Sequence, residues 1–272
     1  MPEHTVTTVS GRKVPFFLPP LELVHFVPHL LGLEPKDLRD IPARALALPA
    51  ESLPPSVQLP RILPVRDQQA RGSCVGFATS ALLEMLMFRE TGARLPLSAL
   101  DAYYLGRLVD GSTPVDCGTF VRSALKGARK FGVAPEQLWQ YDGYGMKFAS
   151  MPDPPARLQA TFNAHGFTYV KLESLADMKA SIAAGYGFAG IWTLFENVYQ
   201  NAWLGNIEMP KPFEGARGAH ATFFCGYDDA TQRFTLKNSW GTQFGDGGYF
   251  TMPYSFFTIG ELNDCWSVRP LI

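Results

Sequence analysis

The sequence predicts an α+β fold of two lobes with a cleft between them. Helical periodicity dominates residues 66 to about 150, and β-rich runs dominate about 151–272. A length of 272 residues allows a sizeable core for both halves. No internal repeat breaks this order.

Residues 1–55 read as an N-terminal extension, a strap or propeptide-like segment. "PPLELVHFVPHLLGLEPKDLRDIPARAL" has room for one or two short helices. "ALPAESLPPSVQLPRILP" carries five prolines and is expected to be extended. The body, 56–272, opens with a strong helix. Ser73 is placed to cap it, and Val75, Ala78, Leu82, Met85 and Leu86 recur at helical spacing. Gly92 and Pro96 end it. "SALDAYYLGRLV" and "TFVRSALKGARKFG" read as two further helices, the latter ending at Gly132. Texture then changes. "GFTYVKL" is strand-like, "SLADMKASIAAG" helical and "GFAGIWTLF" strand-like. "HATFFCGYDDATQRFTLKNSW" reads as a hairpin turning at "DDATQ", and "GGYFTMPYSFF" as one more strand.

Composition narrows the function classes. The chain is 46% hydrophobic and 18% charged with a net charge of −1, so no overall field favours nucleic acid or an anionic membrane. No apolar run reaches the roughly 20 residues of a membrane helix. The start, "MPEHTVTTVSGRKV", lacks a basic stretch leading into an apolar run, so no signal peptide is read. A cytoplasmic protein is expected, or alternatively an effector exported without such a signal. The cysteines, Cys74, Cys117, Cys225 and Cys265, form no Cys-x-x-Cys pair. Two disulfides could join them, but nothing demands it. No metal or cofactor site is expected: ligand spacing is missing, and Gly245, Gly247 and Gly248 lead into a strand, not a phosphate-binding helix.

The chemistry concentrates around Cys74. A thiol becomes nucleophilic when ionised, and a helix N-terminus favours the thiolate through unpaired N–H groups and partial positive charge. Alone, Cys74 reads more readily as a small buried apolar residue. A base changes the balance. Of His4, His25, His29, His165 and His220, the last opens the β-rich hairpin. Asn238 lies near the end of its return strand. Antiparallel pairing can set the two side by side, and Trp240 can shield their bond from water.

This combination resembles the papain-like cysteine peptidases, as a bacterial-type member. The family signature places His and Asn roughly 130–150 residues after the cysteine. His220 falls inside that window and Asn238 somewhat beyond. "RGSCV" and "KNSWGTQFGDGGYF" resemble the family's nucleophile and Asn segments. The resemblance implies the papain-like two-lobe fold: a helical left lobe, an antiparallel β-barrel-like right lobe, and the active-site cleft between them. It implies a thiol endopeptidase in which Cys74 attacks, His220 is base and acid, Asn238 orients His220, Gln68 supplies the oxyanion hole and Trp240 covers the His–Asn bond. Gln69 is chemically identical to Gln68, and family spacing alone favours Gln68. Gly72, Gly118, Thr119 and Trp240 fall at substrate-binding positions, with Thr119 adding a side chain that narrows the cleft. Arg71 stands where the family has a disulfide cysteine, and alignment places Asp116 at its partner. An Arg71–Asp116 ion pair is expected there.

A peptide or protein substrate follows, with cis-inhibition by residues 1–55 a further expectation. The same residues would equally serve a deamidase, transpeptidase or isopeptidase. A non-catalytic peptide-binding module is the remaining alternative, though all four catalytic positions are filled.

Overall fold

The computed structural model describes residues 53–62, 64–162 and 166–271, with the strand backbones of 4–7, 13–16 and 41–42. The expected helices of the N-terminal extension lie outside the described residues, except that Ile41–Pro42 is a strand.

Three helices build the first lobe: α1 (Cys74–Thr91), α2 (Ala99–Asp110) and α3 (Val121–Phe131). Every residue of α1 from Val75 to Leu86 is buried, so this helix is central and has no wet face along that stretch. It stops where Gly92 turns left-handed and returns its N–H to Phe88 O. Ser98 caps α2 by accepting from Asp101 N. The crossing of α1 and α2 is tight, since a Cβ on Gly76 would lie 2.2 Å from Ala99 O. A fourth helix, α4 (Pro154–Phe162), follows.

The remaining helices, α5 (Leu175–Ala183), α6 (Glu196–Asn201) and α7 (Ser255–Thr258), sit among the strands. In chain order the strands are β1 (His4–Thr7), β2 (Lys13–Phe16), β3 (Ile41–Pro42), β4 (Ser56–Gln58), β5 (Phe167–Lys171), β6 (Phe188–Phe195), β7 (Ala216–Asp228), β8 (Arg233–Lys237), β9 (Tyr249–Pro253) and β10 (Leu262–Pro270). β1 and β2 pair separately. The others form one sheet in the order β3-β5-β10-β6-β7-β8-β9, with β4 added to β7.

This mixed helical and antiparallel architecture is the papain-like fold expected, but the sheet does not close into a barrel. β3 runs parallel to β5 at one end. At the other, the free edge of β9 is taken by a loop: Thr251 N donates to Gly205 O and Ile207 N to Thr251 O. A covered edge has no groups left for closure. The hairpin expected around "DDATQ" is β7–β8. The run "GGYFTMPYSFF" is a strand only to Pro253, and α7 begins at Ser255. β4 realises the extended proline-rich segment by pairing antiparallel with the far end of β7. No described helix is long and apolar enough to cross a membrane.

Candidate active site

Cys74 is the first residue of α1 and keeps part of its surface open. The first intrahelical bond runs from Phe77 N to Ser73 O, so the earlier N–H groups of the helix have no partner within it. Ser73 departs from expectation. Its hydroxyl makes no cap bond and instead pairs with Tyr141 OH at 2.7 Å. The helix therefore presents its N–H groups to the sulfur rather than to a serine.

β7 brings the base. His220 stands opposite Trp192 of β6, and Phe223 stands opposite Lys237 of β8. Continuing that register makes Asn238 a diagonal neighbour of His220 on one face. His220 Nε2 donates to Asn238 Oδ1 at 2.7 Å, and Asn238 Oδ1 also accepts from Ser239 N at 2.8 Å. Trp240 lies over the imidazole with ring centroids 4.7 Å apart, and Trp192 meets its edge at 5.5 Å. Both His220 and Asn238 are buried. Nδ1 is thus the nitrogen left for the thiol.

Burial pushes the Cys74 thiol up, opposed by the backbone N–H groups of Ala221, Val75 and Cys74 itself. The reach of Ala221 N places the sulfur beside β7, next to His220. Burial pushes the His220 imidazole down to about 4, opposed by its bond to Asn238. Each shift is the cost of one charge in a dry site. Moving a proton from sulfur to imidazole creates two opposite charges together, and their attraction offsets that cost.

Gln68 and Gln69, equivalent in sequence, part company here. Gln69 packs its side chain against Gly143. Gln68 is buried and held: Nε2 donates to Arg71 O at 3.0 Å, and Oε1 accepts from Ser239 Oγ at 2.6 Å. One N–H of its amide stays uncommitted. Tyr141 OH also donates to Gln68 O. Ser239 and Tyr141 were not singled out from sequence. The adjacency of Ser239 to Asn238 and Trp240 was its only signal.

Arg71 and Asp116 form the expected ion pair, Nη1 to Oδ2 at 3.3 Å. Arg71 also donates to the carbonyls of Asp142 and Gly145 and lies over the Phe148 ring at 4.0 Å. Asp116 accepts from Tyr103 OH at 2.5 Å. One guanidinium thus ties the nucleophile loop to three other segments. All four cysteines are free thiols.

Gly72 is partly buried before α1, and Gly118 is left-handed (φ 77°) with open space where a Cβ would be. Gly118 N meets Tyr103 OH at 3.1 Å. Thr119 does not narrow the cleft. Its hydroxyl donates to Asp110 Oδ2 and its side chain packs on Gly106, so it turns inward against α2. Among the described residues no cluster of His, Cys, Asp or Glu could hold a metal.

A partly open thiol at a helix N-terminus, with a His–Asn pair under tryptophan and a clamped glutamine amide nearby, defines a cysteine hydrolase of the two-lobe type. Comparison with known proteins narrows this. Residues 55–265 match the papain family cysteine protease description, and the chain belongs to that family. It is similar to an uncharacterized peptidase C1-like protein of Acanthamoeba polyphaga mimivirus, 28% identical over 226 residues, covering 78% of this chain and 72% of that protein. Other curated relatives are longer, and the chain spans between 40% and 64% of three of them. Among solved structures, xylellain, a cysteine protease from Xylella fastidiosa, superposes with a TM-score of 0.79 at 26% identity, covering 88% of this chain and 94% of that one. A proCathepsin B from Trypanosoma congolense shares the fold, with a TM-score of 0.65 at 16% identity over 99% of this chain and 94% of that one. The deamidase, transpeptidase, isopeptidase and non-catalytic readings find no support in these relatives.

Proposed function

We propose that this chain is a cysteine endopeptidase working through a thioester on Cys74. The observation carrying this is the buried His220–Asn238 bond beneath Trp240, set beside the sulfur by β7. Cys74 Sγ gives its proton to His220 Nδ1 and forms a bond to the scissile carbonyl carbon. The carbonyl π electrons move to oxygen, which accepts from Cys74 N and from the uncommitted N–H of Gln68. When the oxyanion collapses, the C–N bond breaks and His220 protonates the departing amine. Water then attacks the thioester, His220 takes its proton, and the carboxylic acid leaves as the thiol is restored. Asn238 keeps the imidazole in the tautomer with Nε2 protonated. Gly72 and the backbone at Gly118 and Thr119 border the extended peptide.

The test is incubation of the full chain, and of Cys74→Ala, with a peptide library read by mass. Paired fragments whose masses add up to substrate plus water, absent with Cys74→Ala, are expected. Only deamidated glutamine, or only new amide bonds, would overturn the reading. We further propose that residues 1–55 restrain the cleft in cis. The support is the fold shared with a proenzyme. A synthetic peptide spanning these residues, added in trans, is expected to inhibit hydrolysis competitively.

A further inference from the structure

Behind Asn238, between α1, the middle of β7 and the end of β8, lies a small cavity with room for about one water molecule. Arg66, Ala78, Thr222, Lys237, Asn238 and Ser239 are among its lining residues. Two observations give it chemistry. First, the Asn238 amide is used on one side only. Its Oδ1 accepts from His220 and Ser239, while Nδ2 is buried without a hydrogen-bond partner. A buried donor left unmet is costly, and native structures rarely leave one. Second, the other polar side chains bordering the space offer donors or a cation rather than a free acceptor. Arg66 is spent on Leu97 O, Ser80, Glu84 and Glu136. Ser239 Oγ donates to Gln68, and Thr222 Oγ1 accepts from Trp192. The Lys237 ammonium has no hydrogen bond among the described residues and faces the buried Glu84 carboxylate electrostatically. Such a space wants an acceptor.

We propose that one resident water fills this cavity, accepting hydrogen bonds from Asn238 Nδ2 and Lys237 Nζ. A water flanked by an ammonium turns its lone pairs toward the donors. It therefore adds to the Ser239 N–H in favouring Nδ2 facing the cavity and Oδ1 facing His220. The flipped amide would aim an N–H at His220 Nε2, which would then have to be unprotonated, and Nδ1 would carry the proton in front of Cys74. Lys237 is on this account a positioning residue for the base. The water stands independently of the peptidase reading, and only its effect on rate rests on that reading.

A crystal structure of the full chain, at a resolution that orders water, tests the occupant. Density within about 2.7–3.2 Å of both Nδ2 and Nζ is expected. An empty cavity, a protein atom on Nδ2, or a halide in place of water overturns the proposal. Two variants test the consequence. Ala78→Val narrows the cavity to exclude the water, and Lys237→Met removes the cation at similar length. Each is expected to lower kcat about tenfold with KM unchanged, the scale of one hydrogen bond. Nitrogen NMR of the His220 ring should show one tautomer in the parent, Nε2-protonated, and a measurable rise in the Nδ1-protonated share in Lys237→Met. An unchanged tautomer with the water displaced overturns the positioning role. Ordered water in a protein that cleaves no peptide would leave the water standing and sink the peptidase reading alone.

Discussion

Removing the Arg71 guanidinium should show how much of the nucleophile loop hangs on one side chain. Arg71→Met keeps the aliphatic stem but deletes the charge and the guanidinium that lies over Phe148. Asp116 then loses its ion-pair partner, and the carbonyls of Asp142 and Gly145 each lose a donor. Arg71 is only 5% exposed and Asp116 15%, so water replaces little of this. Breaking a buried pair by removing one partner costs about 3–5 kcal/mol. Asp116 keeps its bond from Tyr103 OH, which argues for the lower end, about 3 kcal/mol. For a chain of this size that lowers Tm by roughly 6–12 °C. Urea and thermal unfolding would measure it, in a Cys74→Ala background to prevent self-digestion. Asp116→Asn, which retains an acceptor for Tyr103, should cost about 1–2 kcal/mol. The double variant should cost less than the two added together, with coupling of at least about 1 kcal/mol. A loss below about 1 kcal/mol in Arg71→Met, or strict additivity, would refute the view that this pair anchors the loop.

Further expectations concern the site itself. Gln68→Ala should lower kcat by about 10²–10³ while KM moves little, since the donor acts on the oxyanion; Gln69→Ala should leave kcat within a few-fold. His220 is held neutral down to about 4, below the usual 6.5, so the unfolded chain binds its proton first as pH falls. Stability is then complete above about pH 6.5 and declines by about 3 kcal/mol toward pH 4; His220→Ala should lack this part of the decline in acid unfolding curves. Trp240→Ala should wet the imidazole and raise its pKa toward the ordinary value, read by NMR titration of His220. Thr119→Ala should leave cleavage preference unchanged and cost about 1 kcal/mol through the lost bond to Asp110, the reverse of what a cleft-lining threonine would do.

What the sequence made legible was what the backbone decides. The order of helices and strands, the β7–β8 hairpin and the stop at Gly92 follow from periodicity and turn residues. His220 and Asn238 could be set side by side because strand register relates their positions. Cys74 at a helix start follows from the glycine-serine entry and the apolar run after it. Side-chain direction was less legible, because distant partners choose it. Thr119 turns to Asp110 because α2 leaves room at Gly106. Ser73 gives up capping because Tyr141, from a distant loop, offers a hydroxyl. Choosing Gln68 over Gln69 on geometry needs Ser239 and Gly143 in place. Sheet closure failed for a similar reason: the loop that covers β9 has no strand signature of its own. The buried Glu84 of α1, paired with Arg66 from the segment before the helix, carries no sequence mark separating it from a surface carboxylate.

The place of β10 in the sheet sets an order of assembly. Although the last strand in the described chain, it lies between β5 and β6, not at an edge. During synthesis Cys74 leaves the ribosome long before His220, and β6 must wait for β10 on the side opposite β7. Until residues 262–270 arrive, Trp192 and His220 rest on a sheet with a gap at its centre. Chain growth thereby acts as a timer. The newborn polypeptide carries its nucleophile before the strand that completes the support of its base.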